Sequence, residues 1–369
     1  MWWIWFPYIV SLVLVVFVSN KLGEYVDAMD KKTKLSGAFL GGVLLAAVTS
    51  LPEFVTSITA AIMGQPEMTL GNILGSDVFD VAIIGFLMVI FCTKVAKKTV
   101  SRGNVVICIA TLVCATLILL CAIFNWKVVI PVINVNILTP IILALYFVAL
   151  LFTREKSPAS TEEQVGGVAN KNTSVAEAEV NGNANVVAVE SVSSATGENP
   201  NNGELKNKAM ALPLKTIVLR FTLLAIVLIG VSIAMTFMVD KIADMYNLQR
   251  GLAGALFLGI ATSLPEIVST FSLVRLGNFD AGYGNIVGSC LFNLGVIAIA
   301  DIFYFAGTVF LTDVSSIILS ACLVASIVFL LAFTFIRNSK LKIKNSITVQ
   351  ILAGVLILAS YVTFLVLSV

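Results

Sequence analysis

The sequence predicts an all-α membrane protein of ten transmembrane helices, arranged as two inverted-topology five-helix repeats with broken helices at the midplane. Three observations predict it. Of the 369 residues, 59% are hydrophobic and only 12% charged, with a mean hydropathy of +1.01, well beyond ordinary soluble composition. Apolar runs of roughly 20 residues, enough to cross a bilayer as a helix, recur ten times. A block from the first half of the chain returns in the second. The formal net charge of +2 indicates neither a nucleic-acid surface nor an acidic tail.

The ten runs fall near 2–20, 36–62, 68–92, 104–124, 128–152, 214–238, 251–274, 281–306, 309–336 and 346–368. The first, Trp2 to Ser19, has no basic residue ahead of it and no small-residue cleavage site, so it reads as a retained span rather than a signal peptide. With the N-terminus outside, 20 of the 23 Lys and Arg residues fall inside, leaving Lys127, Lys241 and Arg250 outside. The expected topology is therefore N-out and C-out in a cell (plasma or inner) membrane.

Between the halves the composition turns to Asn, Gly, Ser, Ala and Glu. This divides the chain into a first repeat at 1–152, a cytoplasmic and disordered linker at 153–213, and a second repeat at 214–369. The linker holds no calcium-loop pattern of spaced aspartates. Six cysteines lie inside apolar stretches without a CxxC pair, and the chain has no histidine. These features argue against zinc, haem or redox chemistry and leave carboxylates as the side chains for any proton relay.

Shifting the sequence by 213 residues superposes 36–80 on 249–293 with 15 identities in 45 ungapped positions. Thr49-Ser50-Leu51-Pro52-Glu53 meets Thr262-Ser263-Leu264-Pro265-Glu266, Gly71-Asn72-Ile73 meets Gly284-Asn285-Ile286, and Gly75-Ser76 meets Gly288-Ser289. Each half holds an odd number of spans, so the second crosses the membrane in the opposite sense. Such inverted repeats place a central site at their interface and let the halves exchange conformations.

The repeated residues suit a hard cation. Pro52 and Pro265 have no N–H to give, which would free the carbonyls of Val48 and Ala261 in a helix interior. Free carbonyls at membrane depth belong where they line a cavity or meet an ion. Thr49, Ser50, Thr262 and Ser263 add hydroxyls, and Glu53 and Glu266 add carboxylates. Ser76 and Asp80, like Ser289 and Asn293, stand one helical turn apart on a shared face. The glycines at 71, 75, 284 and 288 allow a neighbouring helix to approach closely. Glu53, Asp80, Glu266 and Asn293 are thus expected to ring the centre. Ionised acids in mid-membrane cost roughly 3 kcal/mol each on insertion scales, and bound cations would offset that. Flexible all-oxygen coordination favours Ca2+ over Mg2+, and the lack of thiolate or imidazole ligands disfavours soft metals.

The paired segments AAVTSLPEFVTS and GIATSLPEIVST, each followed by GNI(L/V)GS, resemble the alpha repeats of the calcium/cation antiporter superfamily, especially its prokaryotic-type sodium/calcium exchangers. The resemblance covers the ten-span plan, both repeats and the central linker. It implies an antiporter exchanging Ca2+ against Na+, with no organic cofactor. The ligands it implies are side chains of Thr49, Ser50, Glu53, Ser76, Asp80, Thr262, Ser263, Glu266, Ser289 and Asn293, plus the carbonyls of Ala46 and Gly259. It further implies that spans 1 and 6 slide as a gating pair.

The chain departs from the family pattern in three places. Val48 stands where a glycine is usual, the carboxylate and amide at Asp80 and Asn293 are interchanged relative to some prokaryotic exchangers, and Asp77 and Cys290 occupy positions where Asn is common. Asp77 points off the Ser76–Asp80 face and is expected to be a neighbour rather than a ligand. A calcium/proton exchanger, a potassium-dependent sodium/calcium exchanger and a passive cation channel using the same oxygens are the alternatives. An enzyme is disfavoured because neither Ser50 nor Ser263 has a histidine or a buried lysine as base.

Overall fold

The computed structural model describes residues 2–32, 49–95, 99–126, 128–130, 135–153, 212–275, 277–310, 314–338 and 346–368. The first half contains α1 (Trp2–Lys32), α2 (Leu51–Ile62), α3 (Pro66–Ile90), the short α4 (Cys92–Val95), α5 (Arg102–Phe124) and α6 (Leu138–Thr153). The second contains α7 (Leu214–Tyr246), α8 (Arg250–Ala253) running through a π-helical stretch Gly254–Gly259 into α9 (Ile260–Arg275), then α10 (Phe279–Phe303), α11 (Val314–Asn338) and α12 (Ser346–Ser368). Eight of the described helices, counting Arg250–Arg275 as one, are long and apolar enough to cross a membrane, and Leu51–Ile62 and Leu138–Phe152 are shorter apolar helices. The fold is a nearly all-helical membrane architecture of two five-helix repeats. The first part of the second expected span, 36–48, and nearly all of the expected linker lie outside the described residues.

The repeat offset seen between 36–80 and 249–293 extends to the architecture. Helices α3 and α10 are displaced by 213 residues at both ends, and α5 and α11 differ from that offset by one residue at each end. The turns before α3 and α10 also match. Gly64 at φ 73° and Gly277 at φ 84° occupy equivalent positions. Gln65 N–H donates to Ala60 O, and Asn278 N–H to Leu273 O, both at 2.9 Å. These left-handed closures favour glycine because L side chains rarely adopt such φ values, although the space around both positions is open. They fold α2 back on α3, and α9 back on α10, as tight hairpins.

Three expected boundaries shift. Helices α1 and α7 run to Lys32 and Tyr246, past the expected limits of 20 and 238. At about 1.5 Å per residue each exceeds the hydrocarbon thickness, so charged residues such as Lys21 and Glu24, paired at 2.7 Å, extend a helix that no longer needs to be apolar. The fifth span starts at Leu138 rather than near 128, after a two-residue antiparallel pairing of β1 (Val129–Ile130) with β2 (Val135–Asn136). The β-branched run around Pro131 explains this, since Val and Ile favour extended backbone and proline opposes a helix.

Burial separates two apolar clusters. The larger joins α3, α5, α6, α10, α11 and α12. The other joins α1 and α7 to residues of α2 and the α8–α9 helix, through Val15, Leu22, Met235 and Val239. Tyr8 on α1 donates its hydroxyl to the Phe257 carbonyl at 2.8 Å, tying this second body to the π-helical stretch. All six cysteines are free thiols.

Candidate ion site between the repeats

In the first repeat the helix break falls at Ser50, which caps α2 at φ −90°, ψ 11°. Pro52 therefore sits in the first turn, where its missing N–H costs nothing. Glu53 follows in the same turn, at the N-terminal end of the helix, where the dipole favours negative charge. The second repeat differs locally. Pro265 lies within α9, after the π-helical stretch whose wider turn changes which carbonyls are paired. The Thr262 hydroxyl donates back to Leu258 O at 2.9 Å, with Gly259 O at 3.4 Å.

Each motif helix is pinned to its hairpin partner by one asparagine. Asn72 Nδ2 donates to Thr56 Oγ1 at 2.8 Å and Ser57 Oγ at 2.7 Å and reaches Glu53 O at 3.5 Å. Asn285 Nδ2 makes the equivalent set, to Ser269 Oγ at 3.0 Å, Thr270 Oγ1 at 2.9 Å and Glu266 O at 3.4 Å. The sequence flagged both asparagines as repeated identities without giving them a task. Their repetition was the available signal, and their task is to fix the backbone of Glu53 and Glu266.

The repeats meet through glycine. A Cβ added to Gly71 would lie 2.0 Å from Gly251 O, and one on Gly75 2.5 Å from Ala255 Cα, so α3 rests directly on the backbone of the α8 and π-helical segment. A Cβ added to Gly284 would lie 2.7 Å from Asn104 Oδ1, and residues 37–46 lie outside the described residues. Helix α2 packs on α10, and α9 on α3.

This crossing gathers most of the expected ligands. Ser50, Glu53, Ser76, Asp80, Thr262, Ser263, Glu266 and Asn293 are fully buried, and Ser289 nearly so. Ser50 Oγ donates to Glu266 Oε1 at 3.2 Å and lies 3.1 Å from Ser289 Oγ. Asn293 Nδ2 donates to Ser76 Oγ at 3.3 Å and to Asp77 Oδ1 at 3.0 Å. The Thr262 hydroxyl lies next to the Glu53 carboxylate, and that of Ser263 next to Asp80, without closing a hydrogen bond of ordinary geometry. Thr49, a helical residue just before the turn at Ser50, is half-buried, Gly259 ends the π-helical stretch, and Ala46 lies outside the described residues.

The electrostatic character is one-sided. Both oxygens of Glu53, both of Asp80, Oε2 of Glu266, Oδ2 of Asp77 and Oδ1 of Asn293 are buried without a hydrogen-bond partner among the described residues. Buried polar atoms are normally paired, and every one of these can accept. Among the described residues no three acidic side chains could hold a metal ion by themselves. Hydroxyls and the Asn293 amide stand beside individual acids, Ser50 on Glu266 and Asn293 on Asp77. Asp77 is fully buried and bonded to Asn293, a link across the repeats that a reading of the α3 face alone does not reveal.

Residues 3–154 and 216–369 match the family model described as sodium/calcium exchanger protein. An uncharacterized membrane protein of Methanocaldococcus jannaschii is 23% identical over 300 residues, covering 80% of each chain. The inner membrane protein YrbG of Escherichia coli is 23% identical over 78% of this chain and 76% of its own. Human sodium/potassium/calcium exchanger 5 is 32% identical over 31% of this chain and 22% of its own. Among solved structures, the fold is shared with the H+/Ca2+ exchanger CAX, at TM-score 0.66 and 12% identity over 99% of this chain and 86% of that one. It is shared also with the sodium-calcium exchanger NCX_Mj, at TM-score 0.54 and 17% identity over 96% and 95%.

Proposed function

Because this chain belongs to the sodium/calcium exchanger protein family, we propose that it is a secondary active antiporter moving Ca2+ against Na+ by alternating access at the oxygen site between its repeats. The observation that carries the reading is the buried set of acceptor oxygens on Glu53, Asp80, Glu266 and Asn293 that have no donor. Side chains of Thr49, Ser50, Ser76, Thr262, Ser263 and Ser289, with the carbonyls of Ala46 and Gly259, complete the proposed ligand set.

The coupling follows from charge. Carboxylates enclosed at membrane depth are unfavourable unless neutralised, so an empty site resists occlusion, while one divalent ion or a group of monovalent ions relieves it. Ions of either kind therefore permit the crossing and compete for the same oxygens. Hydroxyl and carbonyl oxygens support sodium because they coordinate Na+ but store no proton. Helices α1 and α7, which pack together in the second apolar cluster, are the elements proposed to slide past the rest. The proposed orientation puts both termini outside and the linker 153–213 in the cytoplasm. The runner-up couples calcium to protons, favoured by the fold shared with the H+/Ca2+ exchanger CAX. Potassium-dependent exchange is a variant of the first reading.

Calcium uptake into sodium-loaded proteoliposomes, with and without an outward sodium gradient, tests this. Uptake that follows the sodium gradient and is lost in Glu53→Gln is the expected result. Uptake driven only by a pH gradient replaces sodium with protons, and uptake indifferent to both gradients points to a channel.

A further inference from the structure

Asn293 is a ligand with a wrong end. Its amide carries an oxygen that would coordinate a cation and an NH2 group that would repel one, nearly identical in shape. Two contacts decide which end faces the site. Ser76 Oγ spends its single proton on Ile73 O at 2.9 Å, so it offers Asn293 only lone pairs. Asp77 Oδ1 is the second acceptor, at 3.0 Å. With acceptors on one side the NH2 must point there, and Oδ1, buried without a partner, is turned the other way.

We propose that Asp77 is a positioning residue that sets the Asn293 amide, holding its NH2 group away from the ion and presenting its oxygen. The inference rests on the exchange reading only in treating Asn293 as a ligand. The repeat supplies an internal contrast. The counterpart of Asn293 is Asp80, whose two oxygens are equivalent and need no orienting, and the counterpart of Asp77 is Cys290, with no carboxylate to offer. An acid stands at this position only in the repeat where it orients the other repeat's amide.

The test is calcium's stabilisation of the purified full chain against melting in detergent, titrated with calcium alone, together with half-saturating calcium for uptake in proteoliposomes. Asp77→Leu, similar in size without an acceptor, should raise both half-saturating values by about tenfold or more, the range seen when groups that orient metal ligands are lost. Asp77→Asn can turn its own oxygen toward Asn293, and should stay within about threefold of the parent. Adding Asn293→Asp to Asp77→Leu removes the wrong end and should restore binding.

An Asp77→Asn variant as impaired as Asp77→Leu would show that the charge matters rather than the orientation. An unrestored double variant would show that Asp77 acts through its own oxygens. Should Asp77→Leu not fold, Asn293→Asp alone carries the test. It sets two carboxylates face to face, and its loss of affinity should be relieved by Asp77→Asn, with no relief overturning the proposal. Calcium stabilisation without sodium-driven uptake would sink the coupling assignment while leaving the orienting role testable.

Discussion

Asp301 and Glu53 are both acids buried in apolar helices, and their surroundings are opposite. Asp301, near the end of α10, accepts four hydrogen bonds: from Asn136 N–H at 2.9 Å, Thr139 Oγ1 at 2.7 Å, Thr308 Oγ1 at 2.8 Å and Val309 N–H at 2.8 Å. It fastens β2, the start of α6 and the loop after α10 into one corner. Among the described residues Glu53 has no hydrogen-bond donor on either oxygen, and neither has Asp80. Burial alone therefore does not identify a functional acid in a membrane. The supply of donors does: a carboxylate whose lone pairs are filled by protein is a fastener, and one whose lone pairs are left open is a place for a cation.

The sharpest way to break this comparison is to neutralise one acid of each kind. Glu53→Gln and Glu266→Gln should lower calcium uptake by about 100-fold or more, since each removes a charge from the site proposed to balance a divalent ion. Their melting temperatures without calcium should not fall, because a neutral amide is less costly to bury than an unpaired carboxylate. Asp301→Ala should do the reverse. It leaves four buried donors unpaired, each unsatisfied group costing about 1–3 kcal/mol and not additively. The melting temperature should drop by several degrees, while half-saturating calcium in the folded fraction stays near the parent value.

Calcium itself grades the contrast more finely. Ligand at about 100 times its dissociation constant stabilises a folded state by about 2.7 kcal/mol. Calcium should therefore raise the melting temperature of the parent and of Asp301→Ala but not that of Glu53→Gln. Equal calcium stabilisation in all three would dissolve the distinction. The smallest effect is expected at the braces. Asn285→Ala removes the side-chain bonds that hold Glu266's backbone, each net worth about 1 kcal/mol, and should raise half-saturating calcium a few-fold without abolishing uptake.

Much of this was legible in the residues, and the physical reason is repetition. An offset of 213 that carries Thr-Ser-Leu-Pro-Glu onto itself exposes both the architecture and the segments proposed to bear the ligands, because each half samples the same local solution. What occurs once was harder to read. The repeat counterpart of Asp301 is Met88, so nothing in the sequence marks its corner. The pairing across β1 and β2 depends on short-range backbone preference that an apolar window averages away. The Asp77–Asn293 bond joins repeat-related helices at their crossing, and spacing along either helix alone cannot reveal it. Pro52 and Pro265 are identical in sequence, yet one sits in the opening turn of α2 and the other inside α9, so identity at a motif did not ensure identity of local backbone.

The separate apolar cluster around α1 and α7 carries a consequence for the surrounding lipid. These helices are among the least buried of the spanning set, and they are longer than the hydrocarbon layer is thick. The sliding proposed for them would shear acyl chains more than protein, and each end of the stroke would present a different apolar length to the bilayer. Membrane thickness and chain order then become thermodynamic terms in the cycle, able to tilt the balance between its two ends without touching an oxygen of the ion site.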